Sequence, residues 1–360
     1  MKEILIVNQG HTDNIGDQLI SEIMNRHLSN FFSISVAKFI PDEVASTICI
    51  CDELPGYSGV DKVRSKSGLK DMIKKNHFLC LMALSIKYYT TINKNINNKY
   101  DAIIIGGGEL LADYVAFTAA MQAWLLYAKK TRTKVILYGV SGLPFETRKN
   151  SILKIFMKDC EFVSVRDWDT QKHLSKNLKK EILYAPDIVF TMNYLYGDLL
   201  MHNTKMSDVF VSIYSPEELG VSQNIAEYYD RWVQMILEKI SDTTKNLLIG
   251  YTTQSDYKAA RKFYGYIQKK ALFIDINVKI CDYSDWKGYC NVVTKCRYVI
   301  TGRMHAMIIA LQCGCEIVPY MVKRKVQTFN SEYLEKQYDM QEVNDKVLSS
   351  IEAMVNYINM

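Results

Sequence analysis

The chain has 360 residues, 48% of them hydrophobic, and a formal net charge of +5. That length suggests two domains of ordinary size, each with enough apolar residues for its own core. The mild charge, with no repeat of aromatic and basic residues, argues against a nucleic-acid partner.

The nine cysteines are an odd number and form no framework. Cys49/Cys51 and Cys313/Cys315 are C-x-C pairs with no second pair to complete a zinc site, and no metal-ligand cluster stands out. They read as reduced thiols, mostly packed as small hydrophobes, of a cytoplasmic protein. Neither an apolar run of membrane-spanning length nor a secretory signal is expected.

The chain opens on a strand, Glu3 to Val7. A polar loop follows, containing Asn14-Ile15-Gly16-Asp17, and then a helix from about Gln18 to Leu28. Asp17 is placed to cap that helix, and loops at this edge of a sheet often carry function. Residues 61–99 form a basic helical insertion with nine Lys or Arg against two Asp, and a helical apolar run from Phe78 to Ile86. The plain reading is a solvated helix. A basic amphipathic helix can also rest on anionic lipid headgroups, which would make the protein peripheral at the inner face of a membrane.

Ala102 to Ile105 is a second buried strand, running into Gly106-Gly107-Gly108, where the backbone can approach a ligand closely. The spacing fails the dinucleotide fingerprint at Leu111. Val135 to Tyr138 is a further strand. Phe162-Val163-Ser164-Val165 then ends in Arg166-Asp167 ahead of a helix from about Trp168 to Leu178. Asp167 can cap that helix, and Arg166 can pair with Asp167. Ala185-Pro186-Asp187 precedes a domain junction near 192–207.

The second half repeats the alternation, which argues for a parallel sheet. Strands are read at 209–213, 247–251 and 317–320, and helices at 227–240, 259–270 and 342–360, with 285–295 leading into the stretch that follows. Between them lies the richest stretch, Val299-Ile300-Thr301-Gly302-Arg303-Met304-His305-Ala306. It reads as a strand end, a tight turn at Gly302 and a helix stopped at Gly314. Arg303 and His305 then fall at the helix start, among free N–H groups and the positive end of its dipole. That construction suits a phosphate or carboxylate.

Thr301 to Leu311 resembles the Arg-x-His signature of the polysaccharide pyruvyltransferase family. Asn14-Ile15-Gly16-Asp17, the strand with Gly106–Gly108, Ser164-Val165-Arg166-Asp167, Pro186-Asp187 and Lys325-Val326-Gln327-Thr328-Phe329 resemble further elements, in family order. The second proline of the Pro-Asp-Pro-like element is missing.

The reading adopted is two Rossmann-like α/β domains facing a central cleft, a GT-B-like glycosyltransferase architecture. The N-terminal domain spans 1–195, as the acceptor side. The C-terminal domain spans 205–340, and 341–360 is a terminal helix. The resemblance implies transfer of pyruvate from phosphoenolpyruvate to a sugar of a surface polysaccharide or its precursor, with no cofactor. Such an acceptor is free, nucleotide-linked, lipid-linked or polymeric. Phosphoenolpyruvate carries two anionic groups, which Arg forks suit, and its methylene carbon must be protonated. Arg303 and His305 are therefore the candidate catalytic residues. Arg166, Gly302, Asn14, Asp17, Gly106, Gly107 and Gly108 are the candidate substrate-binding residues.

The alternatives are a nucleotide-sugar glycosyltransferase of the same architecture and a catalytically inactive binding homologue. The first often places a second glutamate two turns along a helix, but the position two turns beyond Glu316 is Arg324.

Overall fold

A computed structural model describes residues 1–41, 77–145, 151–200, 206–221, 224–336 and 339–360. Cys49, Cys51 and the part of the basic insertion at 61–76 lie outside the described residues. The remainder of the insertion is a helix, as its apolar run suggested.

The chain forms two compact units. Unit 1 comprises Met1–His11, Ile20–Ile188 and Asp345–Met360, and unit 2 comprises Thr12–Leu19 and Val189–Asn344.

Unit 1 holds a six-stranded parallel sheet. Its strands are β1 (Glu3–Asn8), β2 (Ser33–Lys38), β3 (Ala102–Gly108), β4 (Lys134–Val140), β5 (Phe162–Val165) and β6 (Leu183–Tyr184), in the order β2-β1-β3-β4-β5-β6. β1 and β3 are nearly continuous apolar runs because helices cover both faces of a parallel sheet. Ile4, Ile6 and Ile103–Ile105 are fully buried. Each such side chain contributes on the order of 1.5–3 kcal/mol relative to exposure. The helices are α1 (Ile15–Leu28), whose residues up to Leu19 belong to unit 2, α2 (His77–Asn95), α3 (Val115–Thr131), α4 (Ser151–Lys158) and α5 (Trp168–Leu178). Trp124 of α3 anchors the core and donates its indole N–H to the Phe39 carbonyl.

Unit 2 holds a five-stranded parallel sheet. Its strands are β7 (Met206–Ser212), β8 (Asn246–Gly250), β9 (Asn277–Ile280), β10 (Cys296–Thr301) and β11 (Glu316–Pro319), in the order β11-β10-β7-β8-β9. Helices α6 (Met192–Leu200), α7 (Ile225–Leu237), α8 (Gln254–Lys269), α9 (Trp286–Val293), α10 (Met304–Gln312) and α11 (Arg324–Phe329) complete it, and α12 (Met340–Asn359) closes the chain. Trp232, Phe263 and Ile300 are buried in its core.

Both sheets are Rossmann-like. In such sheets ligands gather outside the strands' carboxyl ends, where the strand order reverses. That point lies between β1 and β3 in unit 1 and between β7 and β10 in unit 2. Among the described residues no helix is long and apolar enough to cross a membrane.

Candidate functional site

The turn after β10 is built as its sequence suggested at the helix end. α10 stops in a Schellman arrangement, with Gly314 at φ +63°, its N–H bonded to the Leu311 carbonyl, and the Cys315 N–H bonded to the Ala310 carbonyl. At the helix start the reason for glycine differs from expectation. Gly302 does not take a left-handed φ. A Cβ there would lie 3.2 Å from the Tyr320 carbonyl oxygen and 3.4 Å from the Tyr214 ring. Crowding, not turn geometry, selects glycine.

Arg303 is the N-cap residue of α10, and His305 lies in the first turn. The Arg303 guanidinium is held on two sides. Its Nε and Nη2 donate to the two oxygens of Asp256, at 2.9 and 2.6 Å, and Nη2 also donates to Glu218 Oε2 at 2.7 Å. Its plane lies 3.7 Å from the centroid of the Tyr214 ring. Burial opposes its charge, but Asp256, Tyr214 and Glu218 outweigh that and raise its pKa above the ordinary value.

The two acids are bound differently. Asp256 is 0% exposed and also accepts from the Ser215 N–H at 2.8 Å and the Thr252 hydroxyl at 2.9 Å. Glu218 sits in a one-turn 3₁₀ helix after β7, where the Ser255 hydroxyl donates to its other oxygen. Burial raises the Glu218 pKa, but Arg303, Ser255 and Lys323 pull it below the ordinary value. Lys323 Nζ stands 5.0 Å from the same Tyr214 ring.

The segment Thr12–Leu19 belongs to the same unit. Asp13 accepts from the Gln254 N–H at 2.5 Å, and the Ile15 N–H donates to the Thr252 carbonyl at 2.9 Å. α1 starts at Ile15, earlier than the sequence suggested, because Asn14 rather than Asp17 caps it. The Asn14 Oδ1 accepts from the Gly16 N–H at 3.0 Å. Asp17 lies in the first turn, where the helix dipole favours a carboxylate, and meets the Thr12 hydroxyl at 3.5 Å. A Cβ on Gly16 would fall 2.1 Å from His305 Nδ1. The imidazole therefore lies directly on the glycine, and the starts of α1 and α10 converge on His305. Asn14, Asp17, Gly302, Arg303 and His305 are all in unit 2.

Arg166 and the three glycines belong to unit 1. Arg166 follows β5 and does not pair with Asp167, as the sequence suggested. Asp167 is occupied as the N-cap of α5, accepting from the Thr170 N–H and hydroxyl, each at 2.8 Å. Arg166 instead donates to Asp187 at 2.5 Å and to the Ser141 hydroxyl at 3.2 Å. Both side chains of the pair are buried, 7% and 5% exposed. The Ser141 N–H bonds the Gly108 carbonyl at 3.0 Å. The glycine run, Ser141, Arg166 and Asp187 thus form one connected cluster at the sheet's carboxyl edge.

The three glycines do structural duty. A Cβ on Gly106 would lie 2.5 Å from the Tyr138 carbonyl, and one on Gly107 would lie 2.0 Å from Ile20 Cγ2. Gly107 and Gly108 have φ of +74° and +96°, values that glycine adopts without steric cost. Among the described residues no group of three His, Cys, Asp or Glu side chains is placed to hold a metal.

Sequence reasoning missed Asp256, Glu218, Tyr214 and Lys323. One signal was available: Ser215-Pro216-Glu217-Glu218 follows a strand's carboxyl end, the same position that singled out the other loops. Asp256 lies in the first turn of α8, three residues after the N-cap Thr253, where an acid reads simply as part of the helix start.

A family model described as polysaccharide pyruvyl transferase matches residues 14–323. A search of curated proteins finds no match in sequence. Among solved structures the chain resembles S. aureus MnaA in a co-structure with UDP, with a TM-score of 0.53 and 12% identity over 98% of this chain and 88% of that one. It resembles UDP-N-acetylglucosamine 2-epimerase from Rickettsia bellii at a TM-score of 0.54 and 11% identity, over 100% and 98% of the two chains. The UDP-GlcNAc 2-epimerase of Methanocaldococcus jannaschii, in complex with UDP-GlcNAc and UDP, gives 0.50 and 14%, over 99% and 93%. At these identities the likeness is one of fold.

Proposed function

Because the chain belongs to the polysaccharide pyruvyl transferase family, and is thereby a transferase, we propose that it moves pyruvate from phosphoenolpyruvate onto two hydroxyls of a saccharide. The product is a cyclic ketal, and phosphate leaves. Two C–O bonds form at C2 of the donor, and the bond to the phosphate oxygen breaks. Of the two hydroxyl protons, one balances the new methyl group and the other leaves with phosphate.

The observation that carries this reading is the convergence of two helix starts on His305 beside Arg303. An imidazole is suited to protonate the methylene carbon or to take a hydroxyl proton at neutral pH. The helix starts supply N–H groups and positive dipole ends for the leaving phosphate. Among the described residues Nη1 of Arg303 has no protein acceptor, which leaves it for a donor oxygen. Arg166, at the carboxyl edge of the sheet of unit 1, is kept as a second proposed anion-binding residue. The acceptor is assigned to a surface polysaccharide or its precursor, including a lipid-linked one. Acceptance of a lipid-linked saccharide would place the enzyme at the inner face of the cell membrane.

A nucleotide-sugar reaction is the second reading, supported by the UDP and UDP-GlcNAc bound in the fold neighbours. A thermal-shift panel with phosphoenolpyruvate, UDP and UDP-GlcNAc separates the two. Stabilisation by phosphoenolpyruvate, with phosphate release on adding a saccharide panel and mass-spectrometric detection of the ketal, is the expected result. Stabilisation by UDP-GlcNAc alone would overturn the pyruvyl-transfer reading.

A further inference from the structure

Arg303 has more acid around it than its own charge requires. Asp256 and Glu218 both bind it, at 2.6–2.9 Å and 2.7 Å. Lys323 supplies the second positive charge, so two cations face two carboxylates. An anionic substrate finds no net positive charge in this group.

The two carboxylates differ in how firmly they are held. Asp256 takes four hydrogen bonds, from the Ser215 N–H, the Thr252 hydroxyl and two nitrogens of Arg303. These tie together the loops after β7, β8 and β10. Thr252 also carries the carbonyl that receives the Ile15 N–H, so the first turn of α1 hangs on the same group. Loss of the Asp256 carboxylate would disturb several of these bonds together. Among the described residues Glu218 accepts from Arg303 and the Ser255 hydroxyl, both through side chains, and it stands on a three-residue turn. Its side chain is 8% exposed, against 0% for Asp256.

We propose that Asp256 is the fixed counter-ion that positions Arg303, and that Glu218 is a place-holder carboxylate which a donor carboxylate displaces from Nη2. The exchange swaps one carboxylate for another on the same guanidinium donor, the kind of partner that Arg binds best. Glu218 keeps Ser255 and the neighbouring charge of Lys323 when it moves aside. The exchange makes donor affinity a difference between two carboxylates rather than the full strength of an Arg fork. Glu218 therefore limits affinity, whereas Asp256 supports turnover. The inference rests on the pyruvyl-transfer reading through its choice of donor.

The test is calorimetric titration of phosphoenolpyruvate into the wild-type chain, Glu218→Gln and Asp256→Asn, with turnover and melting temperature measured alongside. Glu218→Gln removes the competing charge and is expected to tighten donor binding about tenfold or more, because a like charge beside the donor carboxylate is lost. Asp256→Asn is expected to lower kcat on the order of 100-fold without weakening donor binding, because it frees Arg303 while losing its orientation. A purely structural role would move both variants the same way, with weaker binding and lower melting temperature.

Wild-type binding that Glu218→Gln weakens or leaves unchanged would overturn the inference alone. Wild type and both variants that bind no phosphoenolpyruvate would overturn the functional reading, and the inference with it. If Asp256→Asn does not fold, the sign of the Glu218→Gln effect still decides.

Discussion

Two arginines stand at equivalent places in the two units. Arg166 and Arg303 each leave a parallel strand at its carboxyl end and precede a helix, and each meets an acid from another strand connection. Arg166 meets the Asp187 carboxylate and a neutral serine hydroxyl, in a pair 7% and 5% exposed. Arg303 has two carboxylates, an aromatic face and 14% exposure. The position of an arginine at a sheet edge therefore does not set the charge it offers. The acids around it do. At Arg303 an incoming anion would have to be met through directed N–H groups, and the His305 imidazole stands in the first turn of the helix that Arg303 caps.

The largest difference between the two regions should come from that imidazole. His305→Ala should lower kcat about 10²–10⁴-fold, with phosphoenolpyruvate affinity near wild type. His305→Gln should not restore it, because an amide does not exchange a proton near neutral pH. Phosphate release measured beside direct donor binding checks both. If His305→Gln keeps most of the activity, His305 is a positioning residue and the proton comes from elsewhere, with His11 the next candidate.

Next in size is Asp187, the acid paired with Arg166 in unit 1. Removing one member of a buried ion pair costs about 3–5 kcal/mol. Asp187→Asn should therefore lower the melting temperature by about 10 °C at ~2–4 °C per kcal/mol for a domain of this size. A change of less than a few degrees would mean that Arg166 finds another partner. Arg166→Lys keeps a cation for Asp187 and so should hold the fold better. It should still weaken phosphoenolpyruvate binding on the order of tenfold through loss of the planar fork. Unchanged donor affinity in that variant would remove Arg166 from the site.

The same comparison shows what a sequence can carry. Strands β1, β3 and β10 were legible as apolar runs, and both arginines as residues between a strand and a helix. Their acids were not. Asp187 is 21 residues from Arg166 in sequence, Asp256 is 47 from Arg303, and Glu218 is 85 from it. Such pairs exist only once the strand order is known, because that order decides which loops share an edge. Asp187 did lie in a recognised motif, but nothing local said that it would meet Arg166 rather than Asp167.

Short-range competition hid the start of α1. Gly16 is a poor helix former, so the first turn read as loop. The strand β2 went unread because its residues are half exposed at a sheet edge and show no buried run.

Gly16 offers a smaller and more local test. Alanine there improves helix propensity by about 1 kcal/mol, but its Cβ would fall 2.1 Å from His305 Nδ1. Gly16→Ala should therefore leave the melting temperature near wild type while displacing the ring, with a loss of turnover on the order of tenfold for such a misplacement. Equal turnover would mean that the ring has room to retreat and that its present position is not the working one.

The smallest effect is a pH response that separates the units. His27, in the last turn of α1 and part of unit 1, is 6% exposed, and burial lowers its pKa below the ordinary 6.5. On acidification the unfolded chain takes up that proton before the folded one does. Stability then falls as pH drops through the ordinary histidine range and levels off once the folded His27 is protonated too. Glu218 of unit 2 behaves differently. Burial raises its pKa, but Arg303 and its neighbours bring it below the ordinary 4.5. Its contribution is present above that value and is lost only as pH falls through the lower, folded one. Of these two groups, only His27 responds between pH 7.5 and 5. Melting temperatures measured over that range should decline for the wild type, flatten for His27→Gln and keep the wild-type slope for Glu218→Gln. A flattened slope in Glu218→Gln would show that the carboxylate titrates far above the range its partners impose, and that Arg303 is not paired with it in solution.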